Sequence, residues 1–239
     1  MKKSNNHAML QILCVCVAIV SSLAIPSLRP ARAAAGYSAE KFSGAPPAEV
    51  STVVREVLSS DGIRVQGPNG VICEIWLRKA IPVKANPSNE LGVAFGEFTE
   101  GTLAAVVRFP ADVIDFRKQH VKPGVYTLRY ALNPVNGNHQ GVAPQRDFLL
   151  ASPAADDQSA SPISVNDLIN LSKKVTGANH ASVWSLGTVE DQPKTLPSIS
   201  HQDDGDLWMV NFPVNLLGPS NTLTVKTVAL VVVGHAPEA

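Results

Sequence analysis

Lys122-Pro123-Gly124-Val125-Tyr126-Thr127-Leu128-Arg129-Tyr130-Ala131-Leu132 is the stretch on which the fold turns. Pro123 and Gly124 break the chain, and residue character then alternates with period two. Tyr126, Leu128, Tyr130 and Leu132 fall on one face, with Val125, Thr127, Arg129 and Ala131 on the other. Successive side chains of a strand point to opposite sides, so the pattern predicts a strand over 125–132 with one face in a core.

Towards the N-terminus, residues 63–78 read as a hairpin. Its arms are joined by Gly67-Pro68-Asn69-Gly70, whose Asn-Gly pair accepts the positive φ angles of a tight turn. Residues 91–98 and 102–109 are two further strand candidates, split by Glu100-Gly101. Towards the C-terminus, a polar loop at 133–145 leads to a short strand at 146–151. Residues 152–161, rich in Ser, Ala, Pro and Asp, then read as a linker. Ser164-x-x-Asp167 resembles a capping box, Leu168, Leu171 and Val175 recur at helical spacing, and Gly177 suits a left-handed stop, so residues 165–176 are expected to be the one helix. Strands are expected again at 181–186, 207–214 and 222–233. Residues 228–233 are apolar on both faces, as in a covered central strand.

About ten short strands and a single helix predict a mainly β fold: an antiparallel β-sandwich with one amphipathic helix inserted. Residues 36–48, small and proline-rich, read as a flexible leader, and 49–239 as the sandwich. A division into two β subdomains at 152–161 is the alternative.

The first 35 residues have the order of a secretory signal peptide. Lys2 and Lys3 precede an apolar run at 8–25, followed by Pro26 and the small-residue stretch Ala31-Arg32-Ala33-Ala34-Ala35. Cleavage after Ala33 or after Ala35 fits equally. A retained anchor fits less well, because Gln11, Ser21 and Ser22 interrupt a run already short of the roughly 20 residues a span needs. No membrane span is expected in the mature chain, and its destination is the periplasm or the medium. Cleavage would remove Lys2, Lys3, Arg29 and Arg32 but no carboxylate, leaving 16 basic against 20 acidic side chains, a formal charge of −4. Such a surface offers no phosphate-binding patch, which argues against nucleic acid as a partner. Cys14 and Cys16 would leave with the signal, so Cys73 remains alone, placed by alternation on a core face beside Ile75.

The stretch 122–130, followed by Pro134-x-Asn136-Gly137-x-His139-x-Gly141 and Arg146-Asp147-Phe148-Leu149-Leu150, resembles segments of exported bacterial β-rich proteins of uncharacterised activity, over residues 90–155. The resemblance implies a bacterial envelope setting and a β-rich fold. It brings no activity, cofactor or catalytic residue.

No Gly-x-Ser-x-Gly elbow, His-Glu-x-x-His, Walker loop or Gly-x-Gly-x-x-Gly is present. Two loops carry the densest polar groups. In the first, Asn136, His139, Arg146 and Asp147 form a binding candidate: His139 suits a base or metal ligand and Asp147 its orienting partner, although an Asn-Gly turn beside a local Arg146–Asp147 ion pair is the plainer reading. In the second, His201, Asp203, Asp204 and Asp206 form a metal candidate rich in hard oxygen ligands, against the plainer reading of a solvated hairpin turn. His139, His180 and His201 lack the short paired spacing of most zinc sites, and the cofactor stays open, with Ca²⁺ and Zn²⁺ both allowed. Trp76, Trp184 and Trp208 lie in strands, where core packing accounts for them better than a sugar-stacking face does.

The sequence therefore points to an exported, non-catalytic β-sandwich that binds a small molecule, a glycan or an envelope protein. A secreted metal-assisted hydrolase using His139, Asp147, His180 or His201 is the alternative.

Overall fold

The structure is a computed structural model that describes residues 36–135, 145–189 and 191–236. In chain order its elements are β1 (Ser38–Ser43), α1 (Thr52–Val57), β2 (Asp61–Gly67), β3 (Gly70–Leu77), β4 (Ile81–Pro82), β5 (Leu103–Phe109), β6 (Val113–Ile114) and β7 (His120–Val121). There follow β8 (Gly124–Leu132), β9 (Asp147–Pro153), α2 (Val165–Thr176), β10 (Ser182–Gly187), β11 (Ser198–Gln202), β12 (Leu207–Leu217) and β13 (Leu223–Val233).

The fold is mainly β and sandwich-like. One path of hydrogen-bonded strands runs β1-β2-β3-β5-β8-β9-β10-β13-β12-β11; every neighbour pair along it is antiparallel, and β4 adds to β12 in parallel. β10 turns the corner. Its first part, Ser182 to Ser185, pairs with β9, whereas Leu186 and Gly187 pair with β13. The path thereby folds back on itself and buries a common core. Ile75, Val107, Leu128 and Leu149 come from one half and Phe212 and Leu230 from the other. The outermost strands β1 and β11 approach without pairing, so the barrel does not close. Tyr37, just before β1, stacks on Trp208 of β12 with ring centroids 4.0 Å apart.

Alternation leaves an apolar residue on the outer face of several strands, and the two helices cover these. α1 places Val54 against Trp76 and Val106 on the outside of β3 and β5. α2 places Leu168 against Ala131 and Leu150 on the outside of β8 and β9. α2 occupies the expected residues 165–176: Ser164 Oγ accepts the Asp167 N–H at 3.1 Å, and Gly177 stops the helix at φ 66°. α1 was not expected. Its six residues are too few to show a helical repeat, although Ser51 caps it by accepting the Val54 N–H.

Two other expectations are corrected. Residues 38–43, read as part of a flexible leader, form β1 and pair with β2 along its full length. Residues 91–98 form turns instead of a strand, because their N–H groups find acceptors outside a ladder: those of Ala94 and Phe95 reach the Asp147 carboxylate at 2.8 and 3.1 Å.

Residues 152–161, which read as a linker, carry the partner of a fully buried charge. Arg129 on the outer face of β8 is fully buried, and all five of its N–H groups are engaged. Nε and Nη2 form a two-pronged pair with Asp157 at 2.6 and 2.8 Å; Nη1 donates to the carbonyls of Gly101 at 2.7 Å and Ser161 at 3.0 Å, and Nη2 also to that of Ser159. Asp157 further accepts the Thr127 hydroxyl at 2.5 Å. Gly101 sits at the crossing with φ +80°, and a Cβ there would lie 1.9 Å from the Ile163 carbonyl oxygen. Only glycine fits that backbone. The lock fixes the segment that leads into α2.

Among the described residues no helix is long and apolar enough to cross a membrane.

Candidate functional site

The described residues include only part of the first candidate group and all of the second. Asn136 and His139 lie outside the described residues. Arg146 does not pair with Asp147. Its Nη1 donates to Glu90 at 2.8 Å and its Nε to the Asn133 carbonyl at 2.9 Å. Asp147 is fully buried and accepts the Tyr130 hydroxyl at 2.7 Å besides the two N–H groups of Ala94 and Phe95. Burial, and then this bond to Asp147, push the Tyr130 hydroxyl pKa above its ordinary value. Asp147 therefore ties the 91–98 loop to β8 and β9, and the role expected of it toward His139 lies outside the described residues.

The second loop is the turn of the β11–β12 hairpin. His201 Nε2 meets Asp206 at 2.7 Å and Nδ1 meets Asp203 at 3.3 Å, and the imidazole packs on Trp208 at 4.2 Å between centroids. Asp204 takes no part. Among the described residues no group of three or more His, Cys, Asp or Glu side chains is placed to hold a metal ion. The hairpin is built for turning, with positive φ at Gly205 and Asp206. Trp76, beneath α1, and Trp184, in the central core, are buried as their strand positions implied, whereas Trp208 is half-buried, with its ring against Tyr37 and His201. Cys73 is buried too, and burial, with Glu74 second, pushes its thiol pKa up.

Two clefts open on the outer face of the sheet, on either side of Phe116. The first, about 330 Å³, lies between α2 and the loop that joins β6 to β7. Its floor is the outward set of three adjacent strands, Ala131 from β8, Phe148 and Leu150 from β9 and Val183 from β10, with Ile169 of α2 as a wall. These positions follow from the same alternation that sends Tyr130, Leu149 and Trp184 into the core. α2 covers only part of this apolar strip and leaves the rest as the cleft. Asn133 and Pro134 edge it. Arg117, Lys173 and His180 are its ionisable residues, and among the described residues no carboxylate lines it.

The β6–β7 loop that carries Phe116 and Arg117 is held by Asp115. This buried carboxylate accepts the N–H groups of Arg117 and Gln119 at 2.9 Å each, the Gln119 side-chain amide at 2.9 Å and the Val183 N–H at 3.2 Å. Burial pushes the Asp115 pKa up against the pull of these donors.

The second cleft, about 700 Å³, lies on β10, β13, β12 and β11 and includes His201. On its floor Asn211 Nδ2 donates to Ser198 at 3.3 Å and to Ser200 at 3.0 Å. His180 and His201 stand in different clefts, so the structure does not bring them together.

Set against protein-family models, curated proteins and solved structures, the chain matches none.

The first cleft was not legible as a site from the sequence. Phe148, Leu150 and Val183 appear there only as strand residues, Lys173 falls within the expected helix, and nothing marks Arg117. The signal lay in counting outward apolar residues on 125–132 and 146–151 against a single helix able to cover them.

Proposed function

We propose that the protein is an exported, non-catalytic β-sandwich of the cell envelope that binds a small molecule in the cleft between α2 and the β6–β7 loop. The cleft carries the proposal. At about 330 Å³ it falls in the size range of small-molecule sites, and it has their usual make-up, a mainly apolar lining with a few polar groups. The buried carboxylates favour a binding role over a catalytic one, since Asp115, Asp147 and Asp157 are each saturated by donors of the fold itself. Export rests on the order of charged, apolar and small residues in the first 35 positions.

A thermal-shift screen of the purified protein against small metabolites, glycans and lipids, run in parallel on Ile169→Trp, tests the site. Compounds that raise the wild-type melting temperature but leave the variant unmoved support the cleft. Compounds that shift both alike place binding elsewhere, and a screen without a single shift counts against a ligand-binding role. Expression in a bacterial host tests export: a chain recovered outside the cytoplasm and beginning at Ala34 or Gly36 supports it, and a cytoplasmic chain with an intact N-terminus refutes it.

A further inference from the structure

We infer that the ligand of the α2 cleft is an amphipathic carboxylate, an aliphatic or aromatic body with one anionic end, which Arg117 and Lys173 recognise; this deepens the binding role proposed above and rests on it. The charge pattern of the cleft carries the inference. Seven arginines lie in the described body, and six spend their guanidinium on the protein. Arg64 and Arg108 both bond to Glu74, Arg129 to Asp157 and Arg146 to Glu90. Arg55 and Arg78 donate to backbone carbonyls. Arg117 alone makes no side-chain hydrogen bond or ion pair among the described residues, although it is half-buried and lines an apolar cleft.

The same contrast holds on α2. Lys174 pairs with Asp156 at 3.0 Å, whereas Lys173, half-buried on the cleft, has no partner among the described residues. The one buried carboxylate near Arg117 is Asp115, and its oxygens are occupied by backbone and amide donors. Two cations from opposite walls, with no carboxylate in the lining among the described residues, leave uncompensated positive charge beside apolar surface. Guanidinium is the better of the two for a planar carboxylate, which it can hold with two parallel bonds. The apolar body would lie over Ala131, Phe148, Leu150 and Val183, which line the cleft beside α2.

Isothermal titration with decanoate, decanol and decyltrimethylammonium, each below its micellar concentration, tests the inference. Decanoate is expected to bind at least about tenfold more tightly than decanol, the scale of a hydrogen bond to a charged group, and the ammonium compound more weakly than either. Arg117→Gln with Lys173→Gln is expected to erase the difference while the decanol affinity stays within about twofold. Ile169→Glu, which sets a negative charge in the wall, is expected to weaken decanoate more than decanol. Melting curves establish that both variants are folded. Equal affinities for decanoate and decanol, or a preference that survives the double substitution, overturn the anionic class and leave the binding role standing. If none of the three compounds binds, the amphiphile is refuted, and the metabolite screen above then decides the binding role separately.

Discussion

Replacing Asp157 by Asn tests the account of how the segment before α2 is held. The substitution keeps size and shape but removes the negative charge and sets an amide –NH₂ against donors. Arg129 would then be a cation with no exposed surface and no counter-charge, and the Thr127 hydroxyl would lose a charged acceptor. Breaking one side of a fully buried pair costs about 3–5 kcal/mol. Since 1 kcal/mol moves the midpoint of a 150–250-residue protein by about 2–4 °C, the melting temperature should fall by about 6–20 °C. Urea unfolding followed by tryptophan fluorescence should show the loss as a lower midpoint at unchanged slope. Arg129→Met should cost at least as much, because it strands a buried carboxylate and frees the carbonyls of Gly101, Ser159 and Ser161. In the double variant the two losses should fall short of additivity by about 2–3 kcal/mol, as for residues sharing one network. A fall of less than about 1 kcal/mol for Asp157→Asn, or strict additivity, would refute the view that this pair is a closed, desolvated unit.

Gly101→Ala should destabilise by at least about 1–2 kcal/mol from the left-handed backbone alone, and by more because its Cβ would strike the Ile163 carbonyl; a thermal melt checks it. Asp147→Ala orphans the N–H groups of Ala94 and Phe95 and the Tyr130 hydroxyl, an expected loss of about 3 kcal/mol at roughly 1 kcal/mol per bond, read by urea titration. Tyr126 and Tyr130 both have pKa values raised above the ordinary 10.0, chiefly by burial. The native state therefore keeps protons that the unfolded chain releases, and this contribution to stability, intact below pH 10, should be lost as pH climbs above it, with the Tyr130 absorbance change at 295 nm delayed until unfolding. Cys73, buried and with a raised pKa, should react with a thiol reagent only after denaturation; labelling at the native rate of a free thiol would contradict its placement.

Period-two alternation carried most of the fold. Residues 125–132, 207–214 and 222–233 became β8, β12 and β13, and the capping box with its glycine stop bounded α2. What escaped was decided by partners far away in sequence. Residues 91–98 alternate well enough for a strand, but Asp147, some fifty positions later, takes the N–H groups that a ladder would need. Residues 38–43 have a leader's composition and nevertheless pair with β2, since an edge strand needs only backbone groups. Asp157 hid in a stretch whose Ser, Ala and Pro content suggested a boundary, and nothing local reveals that Arg129 reaches it. In the polar loops, Asp147, Arg146 and His201 are chemically versatile, and each has partners within the fold that its local sequence does not reveal.

β10 belongs to both halves of the sandwich, with four residues hydrogen-bonded to β9 and the next two to β13. Neither half owns a complete edge there, so a cut on either side of residues 182–187 would leave one piece with an unpaired strand from the middle of the sheet. Such an edge recruits other chains. A division of the sandwich at β10 would thus expose unpaired sheet edges at the cut instead of releasing two finished domains.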